Sequence, residues 1–408
     1  MKTLKLKEVV EIINGFAFKS QQYVEDGIRV IRIANVQDGY ISDEKPCFYP
    51  ENSFDQISKY LLQSQDLLIS LTGNVGRVGI LTDNYLPAAL NQRVGCIRIK
   101  SDVALTKKYL YYYLLRKQFV RDCIKASKGV AQLNLSTKWL EEYSVPVPSL
   151  PEQERIVARI EELFSQLDAG VETLKKTKAQ LAVYRQAVLK EAFEGRLTGA
   201  GPLPEVRLGD YIETPRYGTS KKCDYESGAK RTAVYRIPNI DHALGRISHH
   251  DIKYAQFTEN EIEGICLQQG DILIIRSNGS VSLVGQAAMV FEADTSGTFA
   301  GYLMRLRIKD QSVLLSKYLL LYLQSHQARV YIENKAKSTS GVHNINSTEI
   351  SDLQLPVYNR NEQIAIIEAI ESRLSVCDSI EQTVDTALQQ AEAMRQSILK
   401  KAFEGEFV

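Results

Sequence analysis

Long apolar runs, paired cysteines and a strong net charge are all missing from this sequence. No run approaches the eighteen or more apolar residues that a membrane span needs, and the first residues form no signal-peptide pattern. The six cysteines are scattered without a CxxC pair, which favours reduced thiols over a disulfide framework or a zinc site. These absences predict a cytoplasmic protein without a membrane anchor. The net charge of +1 gives no indication of a nucleic-acid partner.

Motifs for catalysis and cofactor binding are also missing. The sequence has no Asn/Asp-Pro-Pro-aromatic tetrapeptide, which adenine methyltransferases need, and no G-x-x-x-x-G-K-[ST] phosphate loop. The glycine-rich stretch from Gly73 to Gly79 lacks the dinucleotide-binding spacing, so we interpret it as a turn rather than a cofactor loop. The five histidines include no H-x-x-x-H pair. We therefore expect the chain not to be an enzyme by itself and to bind no metal or cofactor.

An internal repeat is the strongest feature that the sequence does contain. LKEAFEGRL at 189–197 recurs as LKKAFEGEF at 399–407. A shift of about 200 to 212 residues aligns further stretches, such as IRIANV (31–36) with YRIPNI (235–240) and PEQERIVARIEE (151–162) with NEQIAIIEAIES (361–372). A period this long indicates a duplicated domain, because solenoid repeats run roughly 20–50 residues.

Each half contains a β-rich part. Residues 1–150 and 201–356 carry short apolar runs such as DLLISL and GDILIIR, which are separated by Gly, Asn and Pro turns. Thr106 and Ser316 are each expected to cap the N-terminus of a helix. The pattern predicts an irregular α+β domain in each half.

The remaining segments, 152–195 and 362–405, carry heptad repeats. Counted from Val157 in the first segment and Ile367 in the second, nine of eleven a and d positions are apolar in each. This pattern predicts a coiled coil between the two segments. The alternative is two unrelated amphipathic helices, each packed on its own domain. That alternative fits less well, because about 44 residues at about 1.5 Å each exceed the width of such a domain.

The predicted fold class is α+β. Two pseudo-symmetric globular α/β domains are joined and separated by two long helices that form an antiparallel coiled coil. The predicted boundaries are 1–150 and 201–356 for the domains and 151–200 and 357–408 for the helical regions. Charged residues at seam positions often specify register. We therefore expect three pairs across the coil, namely Lys178 with Glu381, Arg185 with Glu371 and Arg395 with Glu161.

The order of these parts resembles that of the specificity subunit of type I restriction–modification enzymes. The resemblance covers the full chain and rests on the helix starts Pro151-Glu152-Gln153 and Glu362-Gln363-Ile364 and on the closing AFEG. It implies that 1–150 and 201–356 are target recognition domains 1 and 2, each reading one half of a bipartite DNA sequence. Two departures from the pattern are NRNEQ instead of a proline-led PEQ, and Gly170 inside the first helix.

The same resemblance implies the partners. The helices would set the spacing of the two half-sites and dock two modification (methyltransferase) subunits, which would use S-adenosylmethionine. Restriction subunits would also join the complex and use ATP and Mg, while this chain would bind no cofactor.

The charge distribution leaves a second interpretation open. Residues 1–150 carry 20 basic and 15 acidic side chains, and residues 201–356 carry 17 of each. This is a weak electrostatic footprint for a stand-alone DNA-binding protein, and it suggests that the modification subunits supply part of the affinity. The alternative is a coiled-coil adaptor that binds only proteins.

Polar side chains on loops are the candidates for contacts with DNA, because Arg pairs with guanine and Asn or Gln with adenine. The candidates in the first half are Lys19, Arg32, Asn35, Asn74, Arg77, Gln92, Arg93 and Lys128. Those in the second half are Arg216, Lys221, Lys222, Arg236, Asn239, Arg276, Asn278 and His343. Arg32 and Asn35 recur as Arg236 and Asn239, although the halves should read different sequences. Shared residues of this kind favour a structural or phosphate-contacting role.

Overall fold

The computed structural model describes residues 2–129, 132–339 and 341–406 and divides into two compact units. Unit 1 comprises Met1–Leu174 and Asp385–Val408, and unit 2 comprises Lys175–Val384. Each unit therefore combines one globular part with a portion of both long helices. Within the described ranges, no helix is both long and apolar enough to cross a membrane.

The globular part of unit 1 is built on two sheets and a two-stranded ribbon. Its strands are β1 (Lys2–Lys5), β2 (Val10–Asn14), β3 (Ile28–Ile31), β4 (Phe48–Tyr49), β5 (Leu67–Ser70), β6 (Val78–Ile80), β7 (Ala88–Leu90), β8 (Val94–Ile99) and β9 (Ser144–Val147). The sheet orders are β2-β8-β5-β6, β4-β3-β7 and β1-β9. Strand β5 is buried at every position, as its continuous apolar run predicts for an inner strand.

The helices of unit 1 pack against this scaffold. They are α1 (Leu6–Val9), α2 (Phe54–Ile57), α3 (Lys107–Leu114), α4 (Lys117–Ala126), α5 (Thr137–Glu141) and the first part of α6 (Leu150–Phe193). Helix α3 follows Thr106, whose hydroxyl accepts a hydrogen bond from the N–H of Tyr109 at 3.3 Å. The prediction that Thr106 is an N-cap is confirmed.

Unit 2 has a similar organisation with more strands and a larger main sheet. Its strands are β10 (Glu205–Arg207), β11 (Arg216–Tyr217), β12 (Thr232–Tyr235), β13 (Ile240–Asp241), β14 (Arg246–Ile247), β15 (Lys253–Ala255), β16 (Ile272–Ile275), β17 (Ser277–Asn278), β18 (Ala287–Met289), β19 (Thr298–Phe299), β20 (Leu303–Leu306), β21 (Lys337–Thr339), β22 (Val342–Asn344) and β23 (Gln354–Pro356). The sheet orders are β11-β20-β16-β18-β14-β13, β15-β12-β19, β17-β22-β21 and β10-β23.

The helices of unit 2 include the start of the second long helix. They are α7 (Glu259–Glu263), α8 (Ser316–Leu323), α9 (His326–Lys335), α10 (Ser347–Ser351) and α11 (Arg360–Glu404), whose last part belongs to unit 1. The prediction that Ser316 caps a helix is wrong, because α8 already begins at Ser316 and Leu315 occupies the cap position. The hydroxyl of Ser316 instead donates to the carbonyl of Gly270 at 2.5 Å.

The glutamine of the repeated Glu-Gln motif fixes the start of each long helix. Gln153 and Gln363 have no exposed surface. The Nε2 of Gln153 donates to the carbonyls of Ala104 and Pro148, both at 2.9 Å, while its Oε1 accepts from the N–H of Thr106 at 2.8 Å. The equivalent bonds of Gln363 join Val313, Tyr358 and Leu315 at 2.7, 2.7 and 2.9 Å. The motif therefore clamps each helix to the globular part that precedes it.

The phenylalanine of the repeated AFEG motif anchors the end of each long helix. In unit 2, the ring of Phe193 lies edge-on to the rings of Tyr318 and Tyr322, with centroids 5.2 and 5.0 Å away. In unit 1, Phe403 makes the same contacts with Tyr109 and Tyr113 at 5.2 and 5.1 Å. The repeated sequence is thus an aromatic anchor, and the copy in α6 serves unit 2 while the copy in α11 serves unit 1.

The glycine of the motif ends the helix. Gly195 has a φ of +68°, and a Cβ there would lie 2.2 Å from the carbonyl oxygen of Gly201. Gly405 has a φ of +90°. Left-handed backbone of this kind favours glycine at or just beyond the end of a helix.

Helices α6 and α11 pair antiparallel, with a register that partly differs from the prediction. Lys178 lies 3.7 Å from Glu381, the expected partner. Arg185, however, pairs with Asp378 at 2.5 Å and also lies 3.0 Å from Glu381, so the expected pair with Glu371 is wrong. As the position in α6 rises from 178 to 185, the partner in α11 falls from 381 to 378.

The same shift of register is found in both units. Arg395 pairs with Asp168 rather than with Glu161, so that expectation is also wrong. Glu161 is bound by Lys108 at 2.7 Å, and Glu371 by Lys317 at 2.9 Å. Lysines of helices α3 and α8 thus pair with these two glutamates. Each seam arginine instead contacts the aspartate that lies seven residues after the expected glutamate.

Candidate nucleic-acid interface

The two repeated asparagines are structural. Asn35 is 5% exposed and Asn239 has no exposed surface. The Oδ1 of each accepts the backbone N–H of the preceding arginine, Arg32 or Arg236, at 2.9 Å. Their amide groups donate to backbone carbonyls, that of Ser42 in unit 1 and those of Ser248 and His250 in unit 2. Both residues are excluded as base-reading candidates, because their polar atoms already have buried partners.

The two repeated arginines are committed to neighbouring loops. The Nη2 of Arg32 donates to the carbonyl of Lys45 at 2.8 Å. Arg236 donates to the carbonyl of Asp251 at 2.5 Å and to its carboxylate at 2.8 Å. The hydrogen bond from Tyr225, followed by that from Arg236, lowers the pKa of the Asp251 carboxyl group. Each arginine therefore joins its own loop, which also contains the buried asparagine, to the loop that carries its hydrogen-bond partner.

A second shared pair, missed at the sequence level, stabilises the main sheet of each unit. Asp66 and Asp271 are 2% and 1% exposed. Each binds a guanidinium through two hydrogen bonds, from Arg98 at 3.0 and 2.5 Å and from Arg307 at 2.7 and 2.7 Å. The hydrogen bond that each arginine donates to its aspartate raises the pKa of that arginine. The recurrence of Asp66 as Asp271 in the aligned repeat was the available signal.

Several candidates of unit 1 lie on loops that backbone hydrogen bonds bring together. Leu71 donates to the carbonyl of Arg93 at 3.0 Å, and Gly73 to that of Leu133 at 2.8 Å. Lys128 exchanges two backbone hydrogen bonds with Asn134. The loops that carry Asn74, Gln92, Arg93 and Lys128 are thus neighbours, and all four of these side chains are exposed.

The other two candidates of unit 1 differ in their availability. Lys19 is exposed and lies near this group of loops, since Phe18 is hydrogen-bonded to Phe16 and Phe16 to Gln92. Arg77 donates to the Oε1 of Gln37 at 2.9 Å and lies 3.9 Å from Asp38. Arg77 is therefore partly occupied within its own unit.

A concavity of about 660 Å³ gathers the candidates of unit 2. It is lined by the cationic side chains of Lys221, Arg236, Lys253 and Arg276 together with Tyr217 and Tyr302, among others. Lys253 and both tyrosines were missed at the sequence level, because they are not adjacent to one another in the chain. Tyr302 is 64% exposed, and an exposed aromatic side chain beside cations is typical of a binding surface.

Two of the four cations are neutralised. Lys221 lies 2.7 Å from Glu261, whose pKa is lowered to about 2 by the hydrogen bond from Lys221 and then by the backbone N–H of Thr258. Arg236 is paired with Asp251, as described above. Among the described residues, no carboxylate lies within ion-pair distance of Lys253 or Arg276. The positive charge that remains available in the concavity therefore comes from these two residues.

The remaining candidates of unit 2 lie on exposed or nearby strands. Asn278 and His343 face each other in the register of β17 and β22, next to Arg276. Their side chains have local partners, namely the N–H of Ser280 and the carbonyl of Ala336. Arg216 and Lys222 are exposed. The structure thus groups Arg276, Asn278 and His343 on one surface.

The chemistry of these surfaces is that of anion and polar-edge recognition. Cations beside exposed amides and tyrosines can bind phosphate oxygens and the edges of bases. Within the described ranges, no group of three or more His, Cys, Asp or Glu side chains is arranged to hold a metal ion.

Comparison with known proteins identifies similar sequences over the whole chain. Residues 1–182 match the family model of the type I restriction modification DNA specificity domain. The chain is 27% identical to the StySPI specificity subunit of Salmonella potsdam, with 99% of this chain and 88% of that protein covered. It is 26% identical to the EcoKI specificity subunit of Escherichia coli K12, with 98% and 87% covered.

Solved structures share the fold. A chain from a study of complex assembly and conformational transition of the type I R-M system superposes with a TM-score of 0.72, at 17% identity, over 99% of this chain and 97% of that one. The HsdS subunit from Thermoanaerobacter tengcongensis superposes with a TM-score of 0.51, at 16% identity, over 99% and 96%.

Proposed function

We propose that the chain is a specificity subunit of a type I restriction–modification system, as its similarity to such subunits supports, and that each of its units reads one half of a bipartite duplex target. Its partners as a specificity subunit are DNA and the modification and restriction subunits. The same similarity decides against a coiled-coil adaptor that binds only proteins.

One observation carries the proposal of two separate reading surfaces. The units share a buried framework, in which Asn35 and Asn239 accept the same backbone hydrogen bond, yet differ in the side chains of the loops around it. A common framework with different exposed side chains is what two readers of different sequences require. Cations such as the exposed Lys128 and the half-buried Lys253 bind phosphates and fix register, while side chains that differ between the units discriminate bases.

The helices supply the second part of the function. Because α6 and α11 each contribute to both units, the paired helices set the number of base pairs between the half-sites. The two equivalent helical regions dock two modification subunits, one for each half of the repeat.

The chemistry is performed by the partners. The modification subunits use S-adenosylmethionine to methylate adenine, and the restriction subunits use ATP and Mg to cleave DNA. The chain itself is non-catalytic and binds none of these cofactors. The sequence supports this assignment, since it contains neither the methyltransferase tetrapeptide nor a phosphate loop.

Methylation mapping tests the proposal. The chain is co-expressed with its modification subunits in a host that lacks other methyltransferases, and methylated adenines are located in the host DNA. We expect a bipartite motif that depends on this chain. Exchange of residues 1–150 for those of a relative should change one half of the motif only. A change in both halves, or no chain-dependent motif, would contradict the proposal.

A further inference from the structure

The two units hold one backbone position in the same way but place different side chains there. The position is Leu71 in unit 1 and Arg276 in unit 2. In each unit its N–H donates to one loop and its carbonyl accepts from another. The partners are Arg93 and Leu135 in unit 1, at 3.0 and 2.8 Å, and Tyr302 and Ile345 in unit 2, at 3.0 and 2.9 Å. The four bonds establish that Leu71 and Arg276 are equivalent.

The two side chains at this position differ in polarity and exposure, which are the properties that decide whether a side chain can contact bases. Leu71 is 6% exposed and belongs to the apolar core of unit 1. Arg276 is partly exposed and lines the concavity of unit 2. Side chains that both units share cannot distinguish two different half-sites. Discrimination therefore requires equivalent positions at which the two units carry different side chains, at least one of them polar. Arg276 meets this requirement.

The guanidinium of Arg276 is held in a fixed orientation. It stacks on the ring of Tyr217 at 4.3 Å, and its Nη1 donates to the carbonyl of Gly301 at 3.0 Å. The hydroxyl of Tyr217 accepts the N–H of Ser347 at 3.0 Å, which fixes the ring. Stacking and one hydrogen bond reduce the conformational entropy that the side chain loses on binding.

The same guanidinium is not neutralised. Arg236, in the same concavity, pairs with Asp251, but in the part of the chain that the structure describes no carboxylate pairs with Arg276. Its Nε is enclosed without a hydrogen-bond partner. An oriented guanidinium without a carboxylate is suited to acceptor atoms of an external ligand.

We propose that Arg276 reads a guanine in the half-site of unit 2, donating hydrogen bonds to its O6 and N7 in the major groove. This inference rests on the proposed function and adds one residue and one base to it. Unit 1 lacks the equivalent contact, because Leu71 occupies the position. Lys221 and Arg236 support neighbouring loops, and Lys253 supplies charge for the adjacent phosphates.

The test uses the full complex with Arg276→Lys in place of the wild-type chain. Lysine keeps the charge but loses the planar fork that makes two parallel hydrogen bonds. We expect methylation mapping to show that, at one position of one half-site, the variant complex accepts other base pairs besides G·C. The preference for G·C at that position should fall about 10-fold or more. The other half-site should be unchanged. The matched control is Arg246→Lys, an exposed arginine of unit 2 that does not line the concavity.

Each other outcome has one meaning. A wild-type chain that yields no bipartite motif would defeat the proposed function itself. With a wild-type motif present, a variant with the original motif, or with uniformly weaker methylation and no relaxed position, would overturn only the role of Arg276. Arg276→Gln provides a second variant without the charge. If thermal unfolding shows that both variants fail to fold, Arg276 belongs to the framework and the proposal is wrong.

Discussion

The ring of Phe193 stands edge-on to the ring of Tyr322, with their centroids 5.0 Å apart and their planes at 89°. Phe193 is 5% exposed, and Tyr322 lies in α8, so this contact attaches α6 to the globular part of unit 2. Edge-to-face pairs of this kind contribute about 0.5–1.5 kcal/mol beyond the burial of area. The attachment of α6 therefore depends on the orientation of the two rings as well as on the burial of apolar surface.

Replacement of this anchor should destabilise unit 2. We expect Phe193→Ala to lower the free energy of unfolding of unit 2 by about 3–5 kcal/mol, because it leaves a cavity between the helix and two buried tyrosines. Hydrogen exchange should show faster exchange in α8 and in strands β16 and β20. The control is Val183→Ala at a 71% exposed position of the same helix. Equal protection in the two variants would show that the anchor is dispensable.

The buried glutamine of the helix start gives a second prediction. Gln153→Leu keeps the volume but leaves the N–H of Thr106 and the carbonyls of Ala104 and Pro148 without their partners. Each unpaired buried group costs about 1–3 kcal/mol, so unit 1 should lose several kcal/mol of stability in denaturant unfolding. Glu154→Leu changes the next, exposed residue and should have little effect. Similar losses for both variants would contradict the clamp.

The ion pair between Glu261 and Lys221, a lining residue of the concavity, should make the thermal stability depend on pH. Lys221 and then Thr258 lower its pKa from 4.5 to about 2. A depressed carboxyl pKa gives stability that is complete above about pH 4.5 and is lost as the pH falls through about 2. We therefore expect Glu261→Gln to lower the thermal midpoint at neutral pH, and this difference from wild type should narrow from pH 4.5 downwards. Glu259→Gln, at an exposed position of the same helix, is the control. A difference that is constant with pH would refute the assignment.

The loss of Glu261 should also affect DNA binding. Glu261→Gln removes the charge that neutralises Lys221, 2.7 Å away. The assembled complex should then bind DNA more tightly at low salt, and the slope of log K against log salt should steepen by about one. Titrations of the wild-type and variant complexes at several salt concentrations measure this slope. An unchanged slope would place Lys221 outside the DNA interface.

The long helices predict the length of the DNA spacer. One heptad would be added after Leu174 and one after Val384, the residues at which the chain passes from one unit to the other. Seven residues add about 10 Å of helix, which corresponds to about three base pairs at about 3.4 Å each. Methylation mapping should show a spacer longer by about three base pairs and unchanged half-sites. An active variant with the original spacer would show that the helices do not set it.

The sequence predicted those parts of the fold that depend on periodicity. The heptads located both long helices, since periodicity is a local property of the chain. The pairing of Gln153 with Ala104 and Thr106 joins residues distant in sequence, so only the recurrence of the motif indicated its importance. The coil register was predicted incorrectly for Arg185, whose partners are Asp378 and Glu381, while Glu371 is paired with Lys317 of another helix.

The candidate site was predicted less completely than the fold. Residue type alone marked Asn35 and Asn239 as base readers, although burial commits both to the backbone. Recurrence in both halves indicated the correct structural role. Lys253 and Tyr302 reach the concavity from separate strands and loops, and no local pattern distinguishes them from other exposed residues. Arg276 was identified by type, but its stacking on Tyr217 required the structure.

The division of the chain has a consequence for its synthesis. Unit 2 is one continuous stretch, Lys175–Val384, whereas unit 1 needs the later stretch Asp385–Val408 to cover Tyr109 and Tyr113 with Phe403. At roughly 5–20 residues per second, a ribosome takes about 10–40 s to translate the intervening unit 2. During that interval the apolar face that awaits Phe403 is open to chaperones and proteases. The half of the protein that is translated first is therefore the half that finishes folding last.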